Sequence, residues 1–118
     1  MIHETIDSII QWHKQTFPDA TLRGQLKKFD DECLEWHQSD RADISELADM
    51  AIVACGIARF STEHALFCFS EVYDHLVLST HKRSQLAKAI DKKMAINRQR
   101  KWKKTGGSFQ HIEGGNID

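Results

Sequence analysis

The chain has 118 residues, 41% of them hydrophobic and 28% charged, and its 16 lysines and arginines almost balance its 17 aspartates and glutamates. These proportions are typical of an ordinary soluble globular protein, and the length fits a single domain. A single proline, with few glycines before position 105, favours helices over a turn-rich β fold.

The two kinds of charge occupy different parts of the chain. Eight of the seventeen acids lie between Phe29 and Met50, whereas ten of the sixteen bases lie between Lys82 and Lys104. An acidic middle and a basic end could hold a metal ion and a polyanion respectively.

Cysteine content and hydropathy indicate a cytoplasmic protein. The three cysteines form no C-x-x-C pair and fall in apolar helical surroundings, as buried free thiols in a reducing compartment do. The N-terminus lacks the basic start and apolar run of a signal peptide, and the longest apolar run, 50–58, is too short to span a bilayer. We therefore expect no membrane association.

Hydrophobic periodicity predicts an all-α fold of five helices. Thr21 and Asp43 are suited to cap the second and third helices, and Pro18 ends the first. We expect one domain at 1–104 and a flexible C-terminal tail at 105–118. The predicted helices span 2–14, 22–38, 44–60, a stretch that begins at 61 or 62, and a stretch from 79 or 80 to about 103.

The third helix differs from the others because it is apolar on two opposite faces, and a helix that is apolar all round is buried all round. Its acids, Glu46 and Asp49, therefore need a partner for their charge. The two faces consist of Ile44, Leu47, Ala48, Ala51, Cys55 and Ala58, and of Met50, Val53, Ile57 and Phe60.

The last two helices each have one predicted inner face. On the fifth helix this face begins apolar and then becomes polar and basic, which suits an anion. The predicted face of the fourth helix is Leu66, Phe69, Tyr73, Leu76 and Val77, and that of the fifth is Leu86, Ile90, Lys93, Asn97 and Arg100.

Four acids suggest a metal site. Glu32 and Glu35 are three residues apart, as are Glu46 and Asp49, and this spacing puts each pair on one helical face. Because the short connection at 39–42 folds the two helices back on each other, all four carboxylates can meet, and clustered carboxylates need a hard cation. Oxygen ligands without histidine or cysteine favour magnesium, with manganese as the alternative.

The competing explanation for these acids is local. Asp43 and Glu46 have the spacing of a capping box, and Glu35 could be a solvated surface residue. Neither explains Asp49, which lies on the helix that is apolar on both sides.

Lys93, Asn97 and Arg100 are the candidate contacts for an anion. Lysine and arginine on one face beside a metal site can hold the phosphates of a nucleotide, arginine through two parallel hydrogen bonds. The alternative is that cations gather at a helix C-terminus because the helix dipole favours them there.

Flat side chains offer surfaces on which a nucleobase could stack. Trp12, His13 and Phe17 lie near the N-terminus, and Trp36 lies at the end of the second predicted helix. Packing in the core or at its rim is the alternative explanation for all four.

The acids and the basic segment together resemble a known family. Glu32-x-x-Glu35 followed by Glu46-x-x-Asp49 resembles the ExxE…ExxD motif of the all-α nucleoside triphosphate pyrophosphohydrolases, which include the MazG-like enzymes and the dimeric dUTPases. The segment 93–102 is similar to the Lys/Asn/Arg nucleotide-binding segment of MazG-like proteins, closest to a small phage and bacterial branch associated with dATP and dGTP. The match spans roughly residues 12–102.

The resemblance implies a MazG-like bundle of four or five helices that is completed by oligomerisation into a homodimer or homotetramer. It implies magnesium-dependent hydrolysis of a (deoxy)nucleoside triphosphate to the monophosphate and pyrophosphate. Carried over by position, the metal ligands would be Glu32, Glu35, Glu46 and Asp49, Asp31 would be a catalytic residue, and Lys93, Asn97 and Arg100 would bind substrate. To these we add Glu35 as a second catalytic residue, and Trp12, His13 and Lys28 as further candidate substrate-binding residues.

Two features depart from the family's pattern. Only ten residues separate Glu35 from Glu46, so the connection between the helices must be tight, and Asp31 is shorter than the more usual glutamate. The third helix fits an oligomer, because one apolar face could pack within the chain and the other across an interface.

Two other functions are alternatives on the same sequence. A helical module could bind nucleic acid through residues 82–104, which predicts salt-dependent binding that needs no metal. The chain could also be a non-catalytic oligomeric scaffold. The acids beside the proposed cleft disfavour nucleic acid, because they would repel its phosphates, and the four intact acids disfavour the scaffold.

Overall fold

Five α-helices and a short β-hairpin make up the described part of the chain. The computed structural model describes residues 3–100, 102–105 and 108–111. The two strands are antiparallel and pair Trp102 with His111. The elements are α1 (Ile6–Thr16), α2 (Leu22–Gln38), α3 (Ile44–Ala58), α4 (Thr62–Leu78), α5 (Arg83–Asn97), β1 (Trp102–Thr105) and β2 (Ser108–His111).

Local sequence determines where the first four helices begin. Thr5, Thr21, Asp43 and Ser61 precede α1 to α4, and each side chain accepts a hydrogen bond from a backbone N–H in the first turn. The predicted caps Thr21 and Asp43 are confirmed, and α1 ends before Pro18 as expected.

The helix α3 lies at the centre and contacts α1, α2, α4 and α5. Its burial confirms the prediction from its two apolar faces. Because the other four helices of the same chain cover it, the structure corrects the expectation that one of its faces packs across an oligomer interface. Its buried residues are Leu47, Ala48, Met50, Ala51, Ile52, Ala54, Cys55, Gly56 and Ile57.

The helix α4 turns a different face to the core from the predicted one. Three residues of the predicted face, Leu66, Tyr73 and Val77, are exposed, whereas Leu76 is buried as expected. The face that α4 buries includes the small residues Ala65 and Cys68 and packs in the core with α3. The buried face is Ala65, Cys68, Val72 and Leu76.

The helix α5 begins later than predicted. Residues 79–82 form a connection in which the Ser79 hydroxyl donates to the Leu76 carbonyl at 2.7 Å. The same hydroxyl oxygen accepts a hydrogen bond from the His81 N–H at 3.1 Å. Serine therefore closes the end of α4 and does not start the next helix.

The helix α5 also ends earlier than predicted, at Asn97, and β1 begins at Trp102, inside the stretch that was expected to be helical to about 103. The Trp102 ring packs edge-on against Trp12, with 6.2 Å between ring centroids, and against Phe17, with 5.1 Å. This aromatic contact holds the chain against the N-terminal helix. The hairpin overlaps the tail predicted at 105–118, of which 106–107 and 112–118 lie outside the described residues.

The three cysteines are free thiols, as predicted. Burial raises the pKa of Cys55 to about 12 and, with nearby acids, the pKa values of Cys33 and Cys68 to about 11, so these thiols are unreactive. In the part of the chain that the structure describes, no helix combines the length and apolar character needed to cross a membrane.

Candidate metal centre

Two helices bring three of the four predicted acids together. Glu32 and Glu35 lie in the second half of α2, and Glu46 lies in the first turn of α3. One oxygen from each carboxylate lies within 4.8 Å of the others. We call these three residues the carboxylate cluster.

The connection between α2 and α3 is tight, as the ten residues between Glu35 and Glu46 require. Asp40 and Arg41 both have φ of 57°, in the left-handed region, and the Arg41 N–H donates to the Trp36 carbonyl at 3.1 Å. This conformation ends α2 within a few residues and lets α3 pack along it. The turn therefore places Glu46 opposite the acids of α2.

The cluster contains carboxylate oxygens that the protein leaves without a partner. Glu32 is only 5% exposed, and its Oε1 accepts a salt bridge from Lys28 Nζ at 3.2 Å. Within the described residues, Oε2 of Glu32 and Oε2 of Glu46 are buried and have no hydrogen-bond partner. A buried acceptor of this kind costs about 1–3 kcal/mol, and more when it is charged.

Local capping does not account for Glu46. The Asp43 carboxylate accepts hydrogen bonds from the Ser45 N–H at 3.0 Å and from the Ser45 hydroxyl at 2.6 Å. The cap of α3 is thus completed by Ser45, and among the described residues Glu46 Oε2 has no hydrogen-bond partner. Local capping therefore leaves this oxygen unexplained.

Burial and mutual repulsion raise the pKa values of the clustered carboxyls. Burial first, and then the charge of Asp49, raises the pKa of Glu32 to about 7, although Lys28 opposes the shift. Burial, followed by the charges of Asp49 and Glu35, also raises the pKa of Glu46. A bound divalent cation would reverse both shifts, because it favours the ionised form.

Asp49, the fourth predicted ligand, stands apart from the carboxylate cluster. Lys93 Nζ lies 3.1 Å from its Oδ2, and each of the two side chains is 23% exposed. Burial raises the pKa of Asp49 despite the attraction of Lys93. The predicted set of four acids therefore divides into a cluster of three and an ion pair beside it.

Two charged residues of α2 are placed differently from their predicted roles. Asp31 faces solvent, with 53% of its side chain exposed and Lys27 Nζ at 3.5 Å, and it does not join the cluster. Lys28, predicted to bind substrate, is paired with Glu32. The i, i+4 spacing of Lys28 and Glu32 is visible in the sequence and could have identified this pair.

The predicted phosphate contacts do not form one continuous face. Lys93 lies beside the acids, whereas Asn97 is buried and its Nδ2 lies 3.8 Å from the Met94 sulfur. Arg100 lies beyond the end of α5, and its Nε is buried without a hydrogen-bond partner among the described residues. The face stops at Asn97 because the helix stops there.

Trp12 and His13 belong to the core, which corrects their prediction as a stacking surface. Trp12 is 7% exposed and His13 is 3% exposed. The ring of Phe17 lies edge-on to both, and Trp102 covers Trp12 from the hairpin. A nucleobase would have to displace these contacts to reach either ring.

His13 sits in a buried polar network. Arg59 Nη1 lies 3.1 Å from its Nδ1 and donates to the Phe17 carbonyl at 2.7 Å. Since a guanidinium only donates, Nδ1 is the accepting nitrogen and the ring is neutral, with its proton on Nε2 towards Gln25. A Cβ at Gly56 would lie 2.7 Å from Nε2, so the ring fits only beside a glycine.

Protonation of His13 should destabilise the fold in acid. Burial, reinforced by the charge of Arg59, lowers its pKa from 6.5 to about 4, although Gln25 opposes the shift. The unfolded chain therefore takes up this proton at a higher pH, and stability present above pH 6.5 is lost as the pH falls towards 4. We expect the stability difference between the wild type and His13→Asn to shrink by about 3 kcal/mol over that range.

Urea denaturation of the two proteins at several pH values measures this difference, and other titrating groups cancel in it. Parallel stability curves across the range would contradict the assignment of a buried neutral ring.

Comparisons with known proteins add one relative. No protein-family profile matches the chain, and no solved structure matches it. It is 30% identical over 109 residues to a dATP/dGTP diphosphohydrolase of Salmonella phage PMBT28. The match covers 91% of this chain but only 30% of the phage protein, so the chain spans less than a third of that relative's length.

Proposed function

We propose that the chain is a divalent-metal-dependent nucleoside triphosphate pyrophosphohydrolase of the MazG-like type. The observation that carries the proposal is the carboxylate cluster, with its two buried and unpartnered oxygens. A chain that only needed stability would not keep the buried carboxylate oxygens of Glu32 and Glu46 beside Glu35, because their repulsion and desolvation are unfavourable.

The donor set of the cluster fits a hard cation. All of its donors are carboxylate oxygens, which suit magnesium, with manganese as the alternative, better than they suit zinc. Glu32, Glu35 and Glu46 would hold the ion. We assign Asp49 as the fourth ligand, since the phosphate of a bound substrate would compete with it for Lys93.

When bound, the cation would neutralise charge on the α-phosphoryl oxygens and acidify a water molecule. Lys93 would turn from Asp49 to a phosphate oxygen of the substrate. Glu35 is the exposed member of the cluster and would orient the attacking water and accept its proton. The water oxygen bonds to the α-phosphorus, the bond to the bridging oxygen breaks, and pyrophosphate leaves.

The role of Asp31 as a catalytic residue rests only on the sequence resemblance. Its position outside the carboxylate cluster and its pairing with Lys27 favour Glu35 as the base. Asn97 and Arg100 stay predicted substrate contacts, and the unpartnered Arg100 Nε supports an anion near the end of α5.

The substrate class is taken from the phage relative and is part of the proposal. That protein is named for dATP and dGTP, and the matching region covers most of this chain. We therefore propose purine deoxynucleoside triphosphates as the first substrates to test.

The proposed homo-oligomer would use α4 in place of α3. Leu66, Tyr73 and Val77 lie at i, i+7 and i+11 on one stripe of α4 and are 64%, 57% and 60% exposed. A stripe of large apolar side chains at this exposure is typical of a protein–protein interface.

A nucleotide screen tests the proposal. The protein should release pyrophosphate and the monophosphate from dATP or dGTP with magnesium, and chelation of the metal should abolish release. Release of orthophosphate alone, or no turnover with any nucleoside triphosphate, would contradict it. Tight, salt-dependent binding of nucleic acid without turnover would favour the nucleic-acid-binding alternative.

A further inference from the structure

A groove of about 540 Å³ lies between the start of α3 and the outer side of α5. Asp43 and Ser45 line it from α3, and Lys88, Lys92 and Lys93 line it from α5. None of its lining residues is aromatic, so it provides no surface on which a base could stack.

The groove continues from the carboxylate cluster across the ion pair. Successive residues of a helix are about 100° apart around its axis, so Ser45, Asp49 and Glu46 follow one another in that order around α3. Glu46 faces the cluster, Asp49 faces Lys93, and Ser45 faces the groove. A chain of phosphates that starts at the cluster and passes Lys93 would therefore enter the groove.

The charge of the groove suits the terminal phosphates of a chain of phosphates that starts at the carboxylate cluster. Among the described residues, neither Lys88 nor Lys92 forms a salt bridge, and their i, i+4 spacing puts both ammonium groups on one side of α5. The only acid in the lining is Asp43, whose carboxylate is held by Ser45 at the other wall. An anion would therefore lie against the lysines.

We propose that this groove binds the β- and γ-phosphates of the substrate, and then pyrophosphate as product, through Lys88 and Lys92. This assignment rests on the proposed function, because it takes the α-phosphate to lie at the carboxylate cluster. It explains why Lys88 and Lys92, unlike Lys93, have no acidic partner among the described residues.

The test compares two double variants with the same change in net charge. Lys88→Gln/Lys92→Gln removes both groove cations. The control, Lys14→Gln/Arg23→Gln, removes two exposed cations from α1 and α2, outside the groove. A Lys88→Arg/Lys92→Arg variant keeps the charge. Binding of inorganic pyrophosphate by calorimetry at about 0.15 M salt, where diffuse charge is screened, is the first readout.

The groove variant should weaken pyrophosphate binding by at least about tenfold, since each charge-assisted hydrogen bond is worth a factor of that order. The control should change it less than about twofold, and the arginine variant should bind nearly as the wild type does. Equal weakening in the groove and control variants, or no pyrophosphate binding by the wild type, would overturn the assignment.

Turnover measurements distinguish a failure of the groove assignment from a failure of the proposed function. With an accepted nucleoside triphosphate, the groove variant should raise KM by at least about tenfold, and unchanged KM would refute the groove while leaving the hydrolase intact. If no nucleotide is hydrolysed but pyrophosphate binding depends on Lys88 and Lys92, the groove is supported as an anion site and the proposed reaction fails.

Discussion

Glu32→Gln should abolish nucleotide hydrolysis and at the same time make the metal-free protein more stable. Glutamine keeps the shape of the side chain but removes the charge that would hold the cation, and a loss of several kcal/mol of transition-state stabilisation lowers turnover by about 10³-fold or more. A substitution that lowers activity but raises stability identifies a residue that is retained for function.

The gain in stability follows from the pKa of Glu32, which burial and neighbouring acids raise to about 7. At pH 8 this carboxyl is ionised in both the folded and the unfolded state. Ionisation is unfavourable only in the folded state, where its pKa is raised. Removing the charge should add about 3 kcal/mol at pH 8, because the pKa of about 7 already includes the opposing attraction of Lys28. The gain should vanish near pH 4.5, where the wild-type carboxyl is protonated in the folded state.

Urea denaturation at both pH values, in buffer without divalent cations, measures the stability, and a pyrophosphate assay measures turnover. Glu63→Gln is the matched control, because Glu63 is exposed on α4 away from the cluster, and it should change stability by less than about 0.5 kcal/mol. Wild-type turnover in Glu32→Gln would remove the metal assignment. A large loss of stability would show that the acid is structural.

Gly56→Ala should destabilise the fold by about 1–3 kcal/mol, although alanine is the better helix former by up to about 1 kcal/mol. The new Cβ would lie 2.7 Å from His13 Nε2 and 2.8 Å from its Cδ2, closer than two such atoms can approach. The ring cannot move aside freely, because it is buried and Arg59 holds its other nitrogen.

A double-mutant cycle with His13→Ala isolates the cause. In the His13→Ala background the imidazole is gone, so the cost of Gly56→Ala should fall by at least about 1 kcal/mol and become close to zero. Denaturant unfolding of the four proteins gives the coupling energy directly. Equal costs in both backgrounds would place the clash elsewhere.

The carboxylate cluster was predictable in part because its signals are local. Spacing of three residues puts Glu32 and Glu35 on one face of α2, and a short polar connection returns the chain so that Glu46 meets them. The pairing of Lys28 with Glu32 is equally local and was available from i, i+4 spacing. Asp49 was predicted to join its neighbours, but a lysine on α5 competes for it.

The stacking surface and the inner face of α4 were predicted wrongly because both depend on contacts with other parts of the chain. The predicted face of α4 included Leu66 and Tyr73, whereas the face that packs on the core begins at Ala65 and leaves both of them exposed. Trp12 is covered by the ring of Trp102, far away in sequence, and periodicity within one helix carries no information about such a neighbour.

By itself, the sequence determined the presence of five helices, the caps Thr21 and Asp43, and the burial of α3. Caps depend on hydrogen bonds within a few residues, and a helix apolar on both faces can only be covered on both faces. Tertiary structure alone decided that three acids cluster while Asp49 pairs with Lys93, and that His13 is closed in beside Gly56. These contacts join residues distant in the chain, and their energy depends on packing, which spacing along the sequence does not record.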